Sequence, residues 1–144
     1  MKKIAVLGYG VVGSGTVEIL YNHKESIEKK IGEEYEVKYI LDLRDFPDSP
    51  YADKFTKSFD DIVNDPEVDI VVEVLGGVKF AYPYVKSSLE AGKSVVTSNK
   101  ELVAAYGAEL LKIAREKNVN FFFEASVGGG IPIIRPLNQS LTAD

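Results

Sequence analysis

Three glycines near the amino terminus have the spacing G-x-G-x-x-G: Gly8, Gly10 and Gly13. A short apolar strand at residues 4–7 precedes them, and a helical pattern follows at once. In such a turn the first glycine permits a tight bend, the second lets a pyrophosphate approach the backbone, and the third lets the helix pack against the strand. Amides at the helix start, including those of Val11 and Val12, would face the phosphates at the positive end of the helix dipole. The pattern predicts a bound dinucleotide, although a glycine-rich turn can also serve packing alone.

A polar segment with a lysine follows the β-branched strand predicted at residues 94–97. Lys100 could hold a substrate oxygen or carboxylate, and it could pass a proton if burial lowered its pKa from the usual value of about 10.4. Thr97, Ser98 and Asn99 could offer hydroxyls and an amide to the nicotinamide or its ribose. The same three residues could instead cap the next helix, and Lys100 could be a solvated loop residue.

Asp42 and Arg44 stand near the end of the second predicted strand and bear on cofactor choice. A carboxylate there suits the ribose hydroxyls of NAD, whereas a guanidinium suits the additional phosphate of NADP. The interval from Gly13 to Asp42 exceeds the usual spacing of about 20 residues. Because a surface ion pair would give the same pattern, the sequence does not choose between the two cofactors.

The glycine pair Gly76-Gly77 follows another apolar strand, predicted at residues 69–75. These glycines could leave room for the nicotinamide ring, or they could form a tight turn. Glu73, within that strand, is expected to be a structural carboxylate paired to a neighbour. His23 is the only histidine and is expected to pack beside the core, since no second soft ligand is available for a transition metal.

Strands alternate with helices along the whole chain. Strands are predicted at residues 4–7, 35–43, 69–75, 94–97 and 119–125, and helices at 14–30, 58–64, 79–91 and 101–118, the last broken or kinked near 106–107. This alternation implies a mainly parallel sheet with right-handed crossovers and helices on both faces. The predicted fold is a Rossmann-type, doubly wound α/β domain whose ligand lies beyond the carboxyl ends of the strands.

The bulk composition fits one globular domain of 144 residues, of which 45% are apolar. Its 17 basic and 22 acidic residues give a formal net charge of −5 without a basic run, which argues against a nucleic-acid partner. The absence of cysteine excludes disulfides and thiolate chemistry and is compatible with a cytoplasmic location. The amino-terminal apolar stretch is too short for a signal peptide or a membrane span, so no membrane association is expected.

Four motifs together resemble the nucleotide-binding half of homoserine dehydrogenase. They are GYGVVGSG at residues 8–15, EVLGG at 73–77, VTSNKELVA at 96–104 and FEASVGGGIPII at 123–134. The resemblance implies reversible hydride transfer between homoserine and aspartate 4-semialdehyde with NAD or NADP, on the route to threonine and methionine. It also implies that Lys100 corresponds to the active-site lysine of the family.

The same resemblance implies a monovalent-cation site, for sodium or potassium, formed by a carboxylate and backbone carbonyls. Its residues would be Glu124, Val127, Gly129 and Ile131. Oxygen ligands suit a hard cation, although the glycine run could equally be a hinge between domains.

Family enzymes continue into a substrate and dimerisation domain, so that domain is expected after residue 144. The full-length protein is then a homo-oligomer, and residues 1–144 alone have little or no dehydrogenase activity. Two alternatives remain open at the level of the sequence: another amino-acid-pathway dehydrogenase with the same domain, or a non-catalytic NAD(P) sensor.

Overall fold

Six parallel strands form one sheet in the computed structural model, which describes residues 1–124. The strands are β1 (Lys2–Leu7), β2 (Tyr35–Leu41), β3 (Phe55–Thr56), β4 (Val68–Glu73), β5 (Ser94–Thr97) and β6 (Phe121–Phe123). They lie in the order β3-β2-β1-β4-β5-β6. The chain therefore winds outward from β1 in one direction and from β4 in the other, which is the doubly wound order. The Rossmann fold predicted from the sequence is confirmed.

Alternate residues of the central strands supply two cores, one on each face of the sheet. In β1, Ile4 and Val6 belong to one core, and Ala5 and Leu7 to the other. All four are completely buried. Because helices cover both faces, these strands are apolar at successive positions rather than at every second one.

Five α-helices flank the sheet within the described residues. They are α1 (Val11–Asn22), α2 (Lys24–Ile31), α3 (Asp60–Val63), α4 (Ala81–Glu90) and α5 (Lys100–Glu116). Helices α1 and α2 contribute to the core that contains Ile4, whereas α3, α4 and α5 contribute to the core that contains Leu7. No helix in this part of the chain has both the length and the apolar character needed to cross a bilayer.

The single helix predicted for residues 14–30 is wrong, because the chain divides it into α1 and α2 at His23. His23 has φ −115° and ψ 26°, outside the helical region. Its side chain is exposed, so the expected packing of this histidine beside the core is also wrong. The apolar pattern conceals the break because Leu20 and Ile27, one on each side of it, are both buried and keep helical spacing.

Helix α5 is continuous, so it is not broken near residues 106–107. Its buried residues are Leu102, Leu110 and Ala114. The helical spacing of Ala104, Ala108, Leu111 and Ala114 predicts that they share the buried face, but the first three are exposed. Alanine is a good helix former on either face, so its spacing does not mark the face that packs.

Three of the predicted strands extend too far, and β3 was not evident from the sequence. Strands β2, β4 and β6 stop at Leu41, Glu73 and Phe123, and the residues beyond them form the loops at the carboxyl edge. Strand β3 has only two residues, which pair with Ile40 and Leu41 of β2. Such a short segment is below the length at which alternation can be recognised.

A cluster of polar groups joins β2 to the segment before β4. The Asp65 carboxylate accepts hydrogen bonds from the Tyr39 hydroxyl at 2.8 Å and from the Glu67 amide at 2.9 Å, and it lies 2.6 Å from Lys38 Nζ. The hydrogen bond from Lys38, followed by that from Glu67, lowers the pKa of Asp65 to about 2. This carboxylate therefore stabilises the folded chain in its ionised form.

Replacing Asp65→Asn should lower the free energy of unfolding by about 1 kcal/mol at neutral pH, because the ion pair is lost. The pKa of Asp65 is lower in the folded than in the unfolded chain. The stabilisation is therefore complete above about pH 5 and disappears as the pH falls toward 2. Urea denaturation across this range should show the difference from the wild type shrinking.

The matched control is Asp45→Asn, because Asp45 is 78% exposed where it pairs with Lys57. Its stability should stay close to that of the wild type at every pH. A deficit in Asp65→Asn that did not change with pH would contradict this account.

Candidate functional site

The glycine turn between β1 and α1 is confined by backbone on both sides. Gly8 has φ +108°, and a Cβ there would lie 3.1 Å from the Val74 carbonyl oxygen. A Cβ on Gly13 would lie 2.0 Å from the Gly8 carbonyl oxygen, which no side chain can tolerate. At Gly10, by contrast, a Cβ would meet no atom within 4 Å. The outer glycines are therefore required by packing, whereas Gly10 borders open space.

The amino end of α1 is open at the carboxyl edge of the sheet. Gly10 is the N-cap residue and provides no side-chain cap. The first intrahelical bond runs from the Ser14 amide to the Gly10 carbonyl at 2.8 Å, so the amides of residues 11–13 have no acceptor within the helix. Val11 is 92% exposed. An anion placed here meets three amides and the positive end of the dipole.

Asp42 joins the glycine turn to the end of β2. One carboxylate oxygen accepts a hydrogen bond from the Tyr9 amide at 3.0 Å, and the two oxygens together accept from the Arg44 amide and guanidinium at 2.9–3.0 Å. Burial acts to raise the pKa of Asp42, but the bonds from Arg44 and Tyr9 outweigh it, and the pKa is lowered. The structure thus brings Asp42 and Arg44 to the turn. Arg44 remains 64% exposed and able to move.

Two pockets lie on either side of Arg44. One, of about 250 Å³, is mainly apolar and lies between the ends of β2 and β4; it is lined by Leu41, Asp42, Leu43, Arg44, Leu75, Phe80 and Tyr84. The other, of about 540 Å³, contains Arg44 together with Lys57 and the ring of Phe46. The first suits a flat aromatic base. The second pocket places the cationic side chains of Arg44 and Lys57 beside the first.

Sequence reasoning missed two contributors to this region, Tyr9 and Lys57. The Tyr9 ring packs edge-on against Phe46 and Phe55, with centroids 4.9 and 4.8 Å away, and so attaches the loop after β2 to the glycine turn. Lys57 Nζ lies 2.9 Å from Asp45 Oδ1, and both residues line the pocket of about 540 Å³. An aromatic residue inside the glycine turn was the signal available for Tyr9. Nothing in the sequence indicates a role for Lys57, because its position depends on the unpredicted strand β3.

A hydrogen-bond network joins the carboxyl ends of β4 and β5. Glu73 is completely buried; its carboxylate accepts from the Thr97 hydroxyl at 2.5 Å and from the Leu75 amide at 2.8 Å. The Thr97 hydroxyl accepts from the Asn99 amide at 2.9 Å. The Asn99 side chain donates to the Gly77 carbonyl and accepts from the Leu102 amide at 2.9 Å, which caps α5. Glu73 is therefore paired to a neighbour, as predicted.

Lys100 is the first residue of α5 and is exposed at the same edge of the sheet. A cation is not favoured at this end of a helix, where the dipole is already positive, so helix stability does not explain its presence. Ser98 is half-buried, and its amide donates to the Glu73 carbonyl at 3.2 Å. Gly76 and Gly77 are exposed and have φ of +81° and +69°, so they form a turn beside the network.

Glu124 follows β6, is half-buried, and its amide donates to the Thr97 carbonyl at 2.9 Å. The other three residues of the predicted cation site, Val127, Gly129 and Ile131, lie outside the described residues. Within residues 1–124, no three His, Cys, Asp or Glu side chains converge as a metal site. The cation site therefore stays a prediction.

A further cavity of about 470 Å³ lies at the opposite edge, among the amino ends of the strands. The buried Lys93 borders it and donates to the carbonyls of Asp65 and Val68 at 2.7 and 3.0 Å. Burial lowers the pKa of Lys93. None of the predicted site residues within residues 1–124 lines this cavity. Those residues lie at the carboxyl edge, as the doubly wound fold requires.

Residues 8–124 match the family model described as homoserine dehydrogenase, NAD binding domain. The chain belongs to this family. Curated relatives named homoserine dehydrogenase from Bacillus subtilis and Pseudomonas aeruginosa are each 40% identical to it and are matched over 99% of the chain. The chain spans about a third of their length, 34% and 33% respectively.

Solved homoserine dehydrogenase structures share the fold. That from Thiobacillus denitrificans has a TM-score of 0.79 and 41% identity, covering 99% of this chain and 34% of the other. A hyperthermophilic archaeal homoserine dehydrogenase in complex with NADPH has a TM-score of 0.70 and 28% identity, covering 88% and 44%. The resemblance noted from the four motifs is confirmed.

The contact between Gly13 and Gly8 yields a direct test. Gly13→Ala should lower the free energy of unfolding by at least about 2 kcal/mol, because the added carbon overlaps backbone that cannot move without separating α1 from β1. Gly15→Ala in the same helix is the matched control. A Cβ there meets nothing within 4 Å, so helix propensity should leave the protein equally or slightly more stable. Urea denaturation followed by circular dichroism measures both, and equal stability of the two variants would contradict the assigned packing.

Proposed function

We propose that this chain is the NAD(P)-binding domain of a homoserine dehydrogenase. Together with the rest of the enzyme it would catalyse reversible hydride transfer between L-homoserine and L-aspartate 4-semialdehyde, a step of threonine and methionine biosynthesis. The observation that carries the proposal is the open amino end of α1, with its glycine turn, at the switch point of the sheet. Membership of the family supports it.

The dinucleotide would extend along the carboxyl edge in two halves. Its pyrophosphate would lie on the amides of residues 11–13, and its adenine in the apolar pocket between β2 and β4. Its nicotinamide would then lie toward Gly76-Gly77 and the segment from Thr97 to Lys100. The Thr97 hydroxyl and the Asn99 side chain already bond within the protein, so the contacts left for that ring are Ser98, the second amide hydrogen of Asn99 and backbone groups.

When bound, the nicotinamide supplies or accepts the hydride. The task of this chain is to orient the ring and to fix the substrate oxygen next to it. The exposed ammonium of Lys100 would donate a hydrogen bond to that oxygen, stabilising negative charge on it as the carbonyl is reduced. The remaining substrate contacts, and the dimer interface, would come from the domain expected after residue 144.

The Asp42–Arg44 pair gives the site a means to accept either cofactor. With NAD, the ribose hydroxyls would donate to the Asp42 carboxylate as Arg44 turns away. With NADP, the Arg44 guanidinium would leave Asp42 for the 2′-phosphate, where Lys57 adds positive charge. The Tyr9 amide keeps one bond to Asp42 in both cases.

The remaining roles extend the same assignment. Glu124 would contribute one oxygen to a sodium or potassium site, completed by the carbonyls of residues 127, 129 and 131. The partners would be small-molecule substrates and a second copy of the full-length chain, and the location would be the cytoplasm. No catalytic step of this proposal depends on the cation.

Gly10→Val should abolish binding of both NADH and NADPH in isothermal titration, because the side chain would occupy the space where the pyrophosphate approaches. The free energy of unfolding should change by less than about 1 kcal/mol, since that space is free of protein atoms and the backbone at Gly10 is extended. Gly15→Ala should bind both nucleotides like the wild type. A Gly10→Val protein that retained wild-type affinity would refute the placement of the pyrophosphate.

Arg44→Ala should weaken NADPH binding by about 10- to 100-fold, the range of a charge-assisted hydrogen bond, and change NADH binding by less than about threefold. Lys29→Ala is the control for net charge, because Lys29 is exposed in the last turn of α2, which ends at Ile31 beside the cavity at the opposite edge of the sheet. It should leave both affinities unchanged. Equal losses of NADH and NADPH in Arg44→Ala would show that Arg44 does not contact the 2′-phosphate.

A further inference from the structure

The buried carboxylate of Glu73 fixes the direction in which the Thr97 hydroxyl points, in the network at the ends of β4 and β5. The directions of the other hydrogen bonds in this network are set by backbone amides and carbonyls. A hydroxyl has one proton, and that of Thr97 is donated to Glu73 at 2.5 Å. Its lone pairs are then free to accept from the Asn99 amide at 2.9 Å. The second Glu73 oxygen is held by the Leu75 amide, so the carboxylate cannot turn. The Thr97 hydroxyl and the Leu75 amide both meet an acceptor only while the two side-chain oxygens of residue 73 accept hydrogen bonds.

Asn99 connects Thr97 to the two segments that border the proposed nicotinamide half of the site. Its side-chain nitrogen donates to the Gly77 carbonyl, in the turn after β4. Its side-chain oxygen accepts from the Leu102 amide and so fixes the first turn of α5, where Lys100 is the first residue. The distance between the Gly77 turn and Lys100 is thereby fixed.

We propose that Glu73 is a positioning residue: through Thr97 and Asn99 it holds Gly77 and Lys100 at the spacing that the nicotinamide and its substrate require. The inference rests on the proposed function, because it assigns that end of the cleft to the nicotinamide. The adenine half is built from the glycine turn and the Asp42–Arg44 pair. It shares Leu75 with the network, but the Leu75 amide keeps its acceptor in Thr97→Val and can keep it in Glu73→Gln. The network should therefore affect the two halves of the cofactor unequally.

Thr97→Val keeps the volume of the side chain but removes its hydroxyl, so Glu73 and the Asn99 amide both lose a partner. Glu73→Gln keeps the shape but reverses one bond. If the amide oxygen accepts from Leu75, the amide nitrogen must donate to Thr97, whose own proton then has no acceptor. Thr97→Ser restores the hydroxyl and should rescue the effect.

The test compares each dinucleotide with the same molecule lacking nicotinamide. The ligands are NADH and ADP-ribose, and NADPH and 2′-phospho-ADP-ribose, titrated calorimetrically into the 144-residue chain. In the wild type each dinucleotide should bind more tightly than its nicotinamide-free counterpart. In Thr97→Val and Glu73→Gln this advantage should fall about tenfold, as for the loss of one buried hydrogen bond, while the affinity for the nicotinamide-free ligands stays unchanged. Those retained affinities also report that the variants are folded.

An unchanged advantage of the dinucleotides in both variants, or an equal loss of affinity for all four ligands, would overturn the positioning role of Glu73. Failure of the wild type to bind any of the four ligands would instead reject the proposed function, so the two failures are distinguishable. The emission of bound NADH gives a second signal. It should change in Thr97→Val and return to the wild-type spectrum in Thr97→Ser, because it reports the surroundings of the reduced ring.

Discussion

The close contact between Gly13 of α1 and the carbonyl of Gly8 is the constraint on which the rest of the site depends. It brings the first turn of α1 against the end of β1, at the point where the sheet order changes direction. The amides that open the helix are consequently presented to solvent beside β4 rather than covered by it. Asp42 then holds the turn in place through the Tyr9 amide, so the phosphate end of the cleft is formed before any ligand arrives.

The other end of the cleft is built by a different means. There the backbone is held not by close packing of glycine but by a buried carboxylate with two acceptor oxygens, whose partners continue through Thr97 and Asn99 to α5. No buried side-chain polar atom among the described residues lacks a partner. In a dry environment such a satisfied network is rigid, because moving any member leaves another unpaired. Two physically distinct devices thus form the two ends of the cleft in which we propose that the dinucleotide lies.

Much of the fold was predictable from the sequence, because buried parallel strands are continuous apolar runs and glycines mark their ends. β5 at Ser94–Thr97 is found with the predicted limits, and the predicted site residues up to Lys100 gather at one edge because parallel strands end together. The break at His23 was not predicted, and alanines of α5 were assigned to the wrong face of the helix. Helical spacing indicates neither a local change in φ and ψ nor which face of a helix is buried. The ion pair of Asp42 and Arg44 was one of the alternatives that the sequence offered. The bonds of Asp42 to Tyr9 and of Glu73 to Thr97 could not be predicted, because they join segments that are distant along the chain.

The most direct measurement is the amide spectrum of the ¹⁵N-labelled chain during titration with NADPH. The account predicts that the largest shifts fall on Val11, Val12 and Gly13, with smaller ones at Gly77 and Lys100, all at the carboxyl edge of the sheet. Largest shifts around Lys93 and Asn118, which border the cavity at the opposite edge, would contradict it.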